Sequence, residues 1–163
     1  MASKHLISEG NAVIPYFTFG DPTMAFTEQL ILASFEAGAD LIEIGLPFSD
    51  PIADGPVIQT SHFRALKKNP TLNIPKAFDM VDRIKRKVDK PLVFMAASNL
   101  IYRFGLEEFF SEAEQVSLDG VIIPDLPVEE ADDFRHFAKI YGIHLIFLVS
   151  PLCSRKRLER IVR

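Results

Sequence analysis

The stretch LIEIGLPFSDPIADGPVIQ, residues 41–59, decides the fold because it joins a short apolar strand to a loop rich in proline and acidic residues. By the two-residue period of a strand, Glu43 shares a face with Leu41, opposite Ile42 and Ile44. We expect the isoleucines to pack on helices and the glutamate to point into the mouth of a barrel. Burial there raises a carboxyl pKa, as acid-base catalysis near neutral pH requires. A structural acid satisfied by backbone donors or an arginine is the alternative.

The loop that follows contains two turn signals, Asp50-Pro51 and Asp54-Gly55-Pro56. Asp54 has two interpretations: an acid placed above a barrel strand for catalysis, or a cap for a helix beginning near residue 57. Its proximity in sequence to Glu43 favours the first. Glu43 and Asp54 are therefore the best candidates for catalysis in this chain.

Short apolar runs alternate with longer segments of helical period, which is typical of repeated strand-helix units with a parallel sheet. The sequence predicts five strands, at residues 13–19, 41–44, 92–96, 121–123 and 144–149. Two helices, at residues 57–68 and 74–87, are predicted between the second and third strands. Three further helices are predicted from apolar stripes: Phe26, Leu30, Ala33 and Ala37; then Leu106, Phe109, Ala113 and Val116; then Ala131, Phe134, Ala138 and Tyr141.

Smaller signals agree with repeated units. Gly38 and Gly142 follow two of the stripes, as left-handed C-caps do. Asp40 and Asp119 each precede a strand in similar surroundings, a faint internal repeat. Both signals favour several copies of one strand-helix unit.

Two architectures use such units, the closed eight-stranded barrel and the open doubly wound sheet. The first turn, TFGDPT, lacks the glycine-rich phosphate motif of the open sheet. Polar residues follow several strands, where barrel enzymes assemble their sites: Asp21, Glu43, Asn99, Asp125 and Ser150. We therefore predict an α/β chain of the (βα)8 TIM barrel class. A complete barrel takes about 250 residues, so we expect residues 1–163 to form one domain, an incomplete barrel of about five βα units with exposed sheet edges.

Composition excludes several classes of protein. The net charge of −4 and pI near 5.6 provide no basic surface for nucleic acid. The uncharged runs are shorter than the roughly 18 residues of a membrane helix, and a cytoplasmic location is expected. Cys153 has no disulfide partner in the chain. The histidines, which we expect to be structural or solvated, have no metal-ligand spacing: His5, His62, His136 and His144.

The acid-loop segment EIGLPFSDPIADGPVIQ resembles the signature of the tryptophan synthase α subunit family. The segments IPYFTFGDP, GVIIPDLPVEE and LVSPLCSRKRLERI fall in the same family's order and spacing. The resemblance implies a lyase of tryptophan biosynthesis that cleaves indole-3-glycerol phosphate to indole and glyceraldehyde 3-phosphate. It implies a retro-aldol reaction that needs neither a metal nor an organic cofactor.

The resemblance also implies roles for particular residues. Glu43 would shuttle the proton between the glycerol hydroxyl and indole C3, and Asp54 would bind the indole N–H and stabilise the cation. Tyr16 would lie against the indole, although an ordinary core aromatic is the alternative. Asn99 would contact the substrate. Asp125 would support the site, with capping of the helix after Pro127 as its alternative role.

The loop residues Asp50 and Pro51 would face a β subunit, which in the family joins a complex of two α and two β chains. Two departures from the family stand out. Ala97 occupies the usual place of a tyrosine, so we expect no hydroxyl near the indole, and the loops that hold the substrate phosphate have no counterpart in the sequence. Two alternatives therefore stay open: a non-catalytic module that only contacts the β subunit, and a different phosphate-handling barrel enzyme, against which the acid-loop motif argues.

Overall fold

The structure is a computed structural model that describes residues 6–7, 10–51 and 53–162. Five parallel strands form one sheet: β1 (Tyr16–Thr18), β2 (Ile42–Gly45), β3 (Leu92–Met95), β4 (Gly120–Ile122) and β5 (His144–Ile146). The described helices are α1 (Met24–Glu36), α2 (Pro56–Lys68), α3 (Ile74–Lys85), α4 (Ser98–Phe104), α5 (Leu106–Gln115), α6 (Asp132–Ile140) and α7 (Arg155–Ile161). A 3₁₀ turn, Val128–Glu130, precedes α6.

The strands follow one another in the sheet in the order of the chain, β1-β2-β3-β4-β5, and every neighbouring pair is parallel. A doubly wound sheet reverses this order at a switch point, whereas a barrel does not. The prediction of a barrel-type α/β fold with five βα units is therefore confirmed. Within the described residues, β1 and β5 each have a paired strand on one side only.

The outer face of the sheet packs on the helices through a large apolar cluster that includes Ile42 and Ile44. Phe78 lies at its centre, with its ring 5.3 Å from that of Phe94 and 5.4 Å from that of Phe109. Such aromatic pairs contribute about 0.5–1.5 kcal/mol each beyond area burial. The opposite face carries a smaller cluster, Leu41, Val93 and Ile122. The alternation predicted for the second strand is thus confirmed.

The stripe predicted for α1 is wrong. The buried residues of this helix are Thr27, Ile31 and Phe35, while Phe26 is 47% exposed. Thr27 is accepted in the core because its hydroxyl accepts the Gly20 N–H at 3.1 Å and donates to the Thr23 carbonyl at 3.0 Å. The core-facing side of α1 therefore begins one residue later than predicted, because it includes the polar Thr27, which an apolar pattern does not reveal.

The other helices follow the predictions more closely. The stripes of α5 and α6 are confirmed by five buried members: Phe109, Ala113, Ala131, Phe134 and Ala138. The two helices between the second and third strands are also confirmed. Gly38 and Gly142 have the predicted left-handed backbone, with φ of 104° and 68°. The seven-residue helix α4 was not predicted, since it ends at Gly105 before a full apolar stripe develops.

The faint sequence repeat around Asp40 and Asp119 corresponds to the same pair of hydrogen bonds at both positions. The Asp40 N–H donates to the Val13 carbonyl at 3.0 Å, and its carboxylate accepts the Val13 N–H at 2.8 Å. Asp119 makes the same two bonds with Leu92, at 3.0 and 2.9 Å. Asp40, just before β2, thus bonds the segment that leads into β1, and Asp119, just before β4, bonds the first residue of β3. This shared arrangement confirms the repeated βα unit.

Candidate active site

A cavity of about 330 Å³ opens at the carboxyl ends of the first four strands. Of the polar residues predicted to follow the strands, Asn99 and Asp125 line it. Asp21 does not, because its carboxylate pairs with Arg64 on α2. Ser150 lies in the loop after β5, where its hydroxyl accepts the Leu152 N–H. The cavity therefore gathers only part of the predicted set.

Asp54 lies in the cavity wall, and its side chain is 10% exposed. It does not cap α2, since the helix begins with Pro56 after an N-cap at Gly55 that makes no side-chain hydrogen bond. Instead, the Asp54 carbonyl accepts the Gln59 side-chain amide at 2.8 Å, which ties the loop to the helix. Burial raises the pKa of Asp54, the nearby His62 lowers it, and Asp125 raises it. Within the described residues, no hydrogen bond engages the Asp54 carboxyl oxygens, which leaves them available to a ligand.

Glu43 is half-buried on the inner face of the sheet, in register with Tyr16 on β1 and Val93 on β3. It does not belong to the cavity wall. No residue in the described part of the chain forms a hydrogen bond or an ion pair with its carboxylate, so the alternative of a satisfied structural acid lacks support there. Burial raises the pKa of Glu43, which favours a protonated carboxyl nearer to neutral pH.

Tyr16 is the first residue of β1, and its ring covers Gly45 on β2. Its hydroxyl oxygen lies 3.0 Å from Nε2 of His62. Burial raises the pKa of Tyr16 to about 12; a hydrogen bond from Thr18 opposes this, and the charges of Asp54 and Glu43 add to it. The phenol is therefore neutral at physiological pH and serves as a hydrogen-bonding part of the wall.

Asp125 follows β4 and holds the start of α4. Its two carboxyl oxygens accept the Ser98 N–H at 2.8 Å and the Ser98 hydroxyl at 2.9 Å. It does not cap the 3₁₀ turn, whose N-cap Pro127 makes no side-chain hydrogen bond. Asp125 thus fixes the loop that carries Ala97 and the exposed Asn99 into the cavity wall.

The expectation that Ala97 leaves no hydroxyl near the indole stays a prediction, although hydroxyl groups do line the cavity. Ala97 lines the cavity, but so do Tyr16 and Ser98, both of which carry hydroxyl groups. The Ser98 hydroxyl is engaged by Asp125, whereas the Tyr16 hydroxyl lies beside His62.

The sequence missed His62 as part of this site. It is 4% exposed and reaches the cavity from the second turn of α2. Its Nδ1 lies 3.4 Å from the Phe48 backbone nitrogen and 4.0 Å from an Asp54 carboxyl oxygen. The available signal was the helical period of α2, which places position 62 on the same face as the buried Ala65. His136 is exposed and His144 half-buried, and His5 lies outside the described residues.

Asp50 and Pro51 lie at the rim of the cavity, the first exposed and the second half-exposed. No helix in the described ranges combines the length and apolar character needed to cross a bilayer. The described side chains contain no cluster of three or more histidines, cysteines and carboxylates arranged to hold a metal ion.

Five consecutive βα units, with carboxylates gathered at the carboxyl ends of the strands, define a βα-barrel protein with an acidic cavity where such barrels place their active sites. A family model described as tryptophan synthase alpha chain matches residues 3–163. The chain belongs to the tryptophan synthase alpha chain family.

Relatives and solved structures agree with this assignment. The tryptophan synthase alpha chain of Thermoanaerobacter sp. (strain X514) is 46% identical over 92% of this chain and 56% of the relative. That of Clostridium kluyveri is 43% identical over 97% and 59%. The crystal structure of the alpha subunit from Legionella pneumophila has a TM-score of 0.88 at 36% identity, covering 92% of this chain and 57% of that one.

The tryptophan synthase complex from Pyrococcus furiosus gives a TM-score of 0.87 at 42% identity, covering 93% of this chain and 62% of that one. The chain therefore spans between 56% and 62% of the length of these relatives.

Proposed function

We propose that the chain provides the indole-binding side and both acids of a lyase that cleaves indole-3-glycerol phosphate to indole and glyceraldehyde 3-phosphate. The observation that carries this proposal is the presence of two carboxylates with different surroundings, one in the cavity wall and one on the strand before it. Asp54 faces the cavity and accepts no side-chain hydrogen bond from the described residues, and Glu43 lies half-buried on the inner face of β2, the strand that leads into the Asp54 loop. Burial raises the pKa of both groups.

The retro-aldol reaction needs these two acids for different steps. Protonation of indole C3 turns the ring into a cation that withdraws electrons from the bond to the glycerol carbon. As that bond breaks, the adjacent hydroxyl loses its proton and becomes the aldehyde of glyceraldehyde 3-phosphate. In the proposal, Glu43 supplies the first proton and accepts the second. Asp54 accepts the indole N–H and stabilises the positive charge of the ring.

The charge of the described cavity favours the indole over the phosphate as its ligand. Its wall carries three aspartates, Asp50, Asp54 and Asp125, and among the described lining residues there is no lysine or arginine. Such a wall repels a phosphate and favours a cationic ring. The substrate phosphate, whose binding would orient the reacting carbon, must therefore be held by groups outside this cavity.

The test is release of indole from indole-3-glycerol phosphate by the purified chain, alone and with a tryptophan synthase β subunit. Glu43→Gln and Asp54→Asn are each expected to lower the rate by about 10²- to 10⁴-fold, the usual contribution of acid-base catalysis. Glu36→Gln, on the exposed end of α1, is the matched control and should change nothing. Activity that survives Glu43→Gln would remove Glu43 from the mechanism.

A second candidate function is a module that binds a β subunit without turning over substrate. It is favoured by the exposed Asp50 at the rim of the cavity. It is also favoured by the assembly of relatives, since two of the similar Pyrococcus furiosus structures are of the tryptophan synthase complex. Association that Asp50→Lys weakens, while Asp79→Lys on the exposed face of α3 does not, would place the β subunit on this loop. Binding without indole release would favour the module over the lyase.

The location expected from the sequence belongs to the same proposal. Cys153 is free, and the chain has no second cysteine with which to form the internal disulfide typical of an oxidising compartment. We propose the cytoplasm. Fractionation of the source cells with an antibody against the chain would test this directly.

A further inference from the structure

His62 lies where the three parts of the candidate site meet. The helix α2 carries it, the first strand supplies Tyr16, and the loop after β2 supplies Phe48 and Asp54. Its side chain is almost fully buried, although histidine is a polar and titratable residue. The proposed lyase mechanism uses Glu43 and Asp54 and assigns nothing to this imidazole.

The hydrogen bonds define the tautomer of His62. The Phe48 backbone N–H can only donate, so at 3.4 Å it requires Nδ1 to be the unprotonated nitrogen. The proton of the neutral ring is then on Nε2, which donates to the Tyr16 hydroxyl oxygen at 3.0 Å. Neutral His62 thus joins the loop after β2 to the first strand and leaves both oxygens of Asp54 available.

Protonation of the imidazole reverses this arrangement. A proton on Nδ1 removes the acceptor of the Phe48 N–H and creates a donor 4.0 Å from an Asp54 carboxyl oxygen. An ion pair would then engage Oδ2 of Asp54 and compete with the indole N–H for this carboxylate. Asp54 is the nearest anion, and the other carboxylates around the cavity are Asp50 and Asp125, with Glu43 on the inner face of β2. Burial lowers the pKa of His62, and Asp54 raises it, so the neutral form predominates at neutral pH.

We propose that His62 is a positioning residue whose protonation withdraws Asp54 from the indole: the neutral imidazole holds the Tyr16 side of the cavity, and the imidazolium pairs with Asp54. The inference rests on the proposed function for the identity of the ligand. The link between His62 and Asp54 does not depend on it.

The first measurement tests the link without any ligand. The imidazole of His62 is titrated by NMR in the wild-type chain and in Asp54→Asn. We expect the His62 pKa to fall in Asp54→Asn, because the variant loses the carboxylate that favours the imidazolium. An unchanged pKa would overturn the proposal. His136→Gln, which removes an exposed imidazole of α6, assigns the signals and should leave the His62 titration unaltered.

The second measurement uses indole itself, whose fluorescence is read without a tryptophan background because the chain contains no tryptophan. One pH unit below the His62 pKa only about a tenth of the sites retain a free Asp54, so the apparent dissociation constant should rise about tenfold. In His62→Gln, which cannot carry the charge, this rise should be absent. The same rise in His62→Gln would overturn the proposal.

The two measurements separate the possible failures. A coupled His62 titration in a chain that does not bind indole contradicts the proposed function and leaves the positioning role of His62 intact. Indole binding with an uncoupled His62 titration contradicts the positioning role of His62 and leaves the proposed function intact. Far-UV circular dichroism of each variant confirms that it is folded before either measurement.

Discussion

Tyr16 and Gly45 fit each other across the first two strands: the ring of Tyr16 covers Gly45 so closely that a methyl group there would overlap its hydroxyl. Gly45 therefore provides the space in which Tyr16 reaches His62. We expect Gly45→Ala to displace the ring and to lower the free energy of unfolding by about 1–3 kcal/mol, the usual cost of overpacking. Urea unfolding measures this cost.

The double variant identifies the cause of that cost. In a Tyr16→Ala background the added methyl group has room, so Gly45→Ala should cost much less there, and the interaction energy of the cycle should be at least about 0.5 kcal/mol. Equal costs in both backgrounds would mean that the Tyr16 ring is not what limits position 45.

Glu43 should make the folded chain less stable at neutral pH than a neutral residue would. Burial raises the pKa of Glu43 in the folded state. Its contribution to stability is therefore fully present below the unfolded-state pKa and is lost as pH rises through the folded-state pKa. Glu43→Gln is expected to stabilise the chain at pH 7 and to have little effect near pH 3, as measured by urea unfolding. Destabilisation by Glu43→Gln at pH 7 would indicate a bonding partner for the carboxylate.

Glu28 should behave in the opposite way, because it joins α1 to the end of α3. Burial alone would raise the pKa of Glu28, but hydrogen bonds from Lys87 and Arg83, both 2.9 Å long, hold it below its ordinary value. Stability from this group is present above the unfolded-state pKa and is lost as pH falls through the folded-state pKa. Glu28→Gln should cost about 1 kcal/mol at pH 7 and almost nothing at pH 3. The same dependence in Glu36→Gln, an exposed residue of α1, would refute the assignment to these ion pairs.

Asp40 and Asp119 each bond the backbone of a distant residue, Val13 and Leu92 respectively, but they should contribute differently to the free energy of unfolding. Asp119 accepts the Leu92 N–H and also pairs with Lys85, whose side chain is 12% exposed. In the part of the chain that the structure describes, the Asp40 carboxylate accepts only the Val13 N–H, in an exposed setting. Asp119→Ala leaves a partly buried lysine without its anion and is expected to cost about 2–3 kcal/mol. Asp40→Ala should cost about 1 kcal/mol. Thermal unfolding of the two variants compares them, and a larger loss for Asp40→Ala would contradict the assignment.

Much of the fold was predictable because it depends on local patterns. The alternation around Glu43, the positive backbone angles of Gly38 and Gly142, and the repeated aspartate at Asp40 and Asp119 all arise from neighbours in the chain. Errors arose where a distant contact overrode the local pattern. Thr27 is buried in α1 because it bonds the turn after β1, which the apolar period of the helix does not reveal.

In the candidate site, too, some features depend on local sequence and others on contacts between distant residues. By itself the sequence determined the order of the βα units and the family, and it predicted Glu43 and Asp54 as the candidate acids, since these follow from periodicity and from a contiguous motif. Only the tertiary structure brought His62 to Tyr16 and Asp54 and set Asp125 on Ser98. Those contacts join residues far apart in the chain, and the distance between two side chains from different elements depends on how the whole sheet packs against its helices.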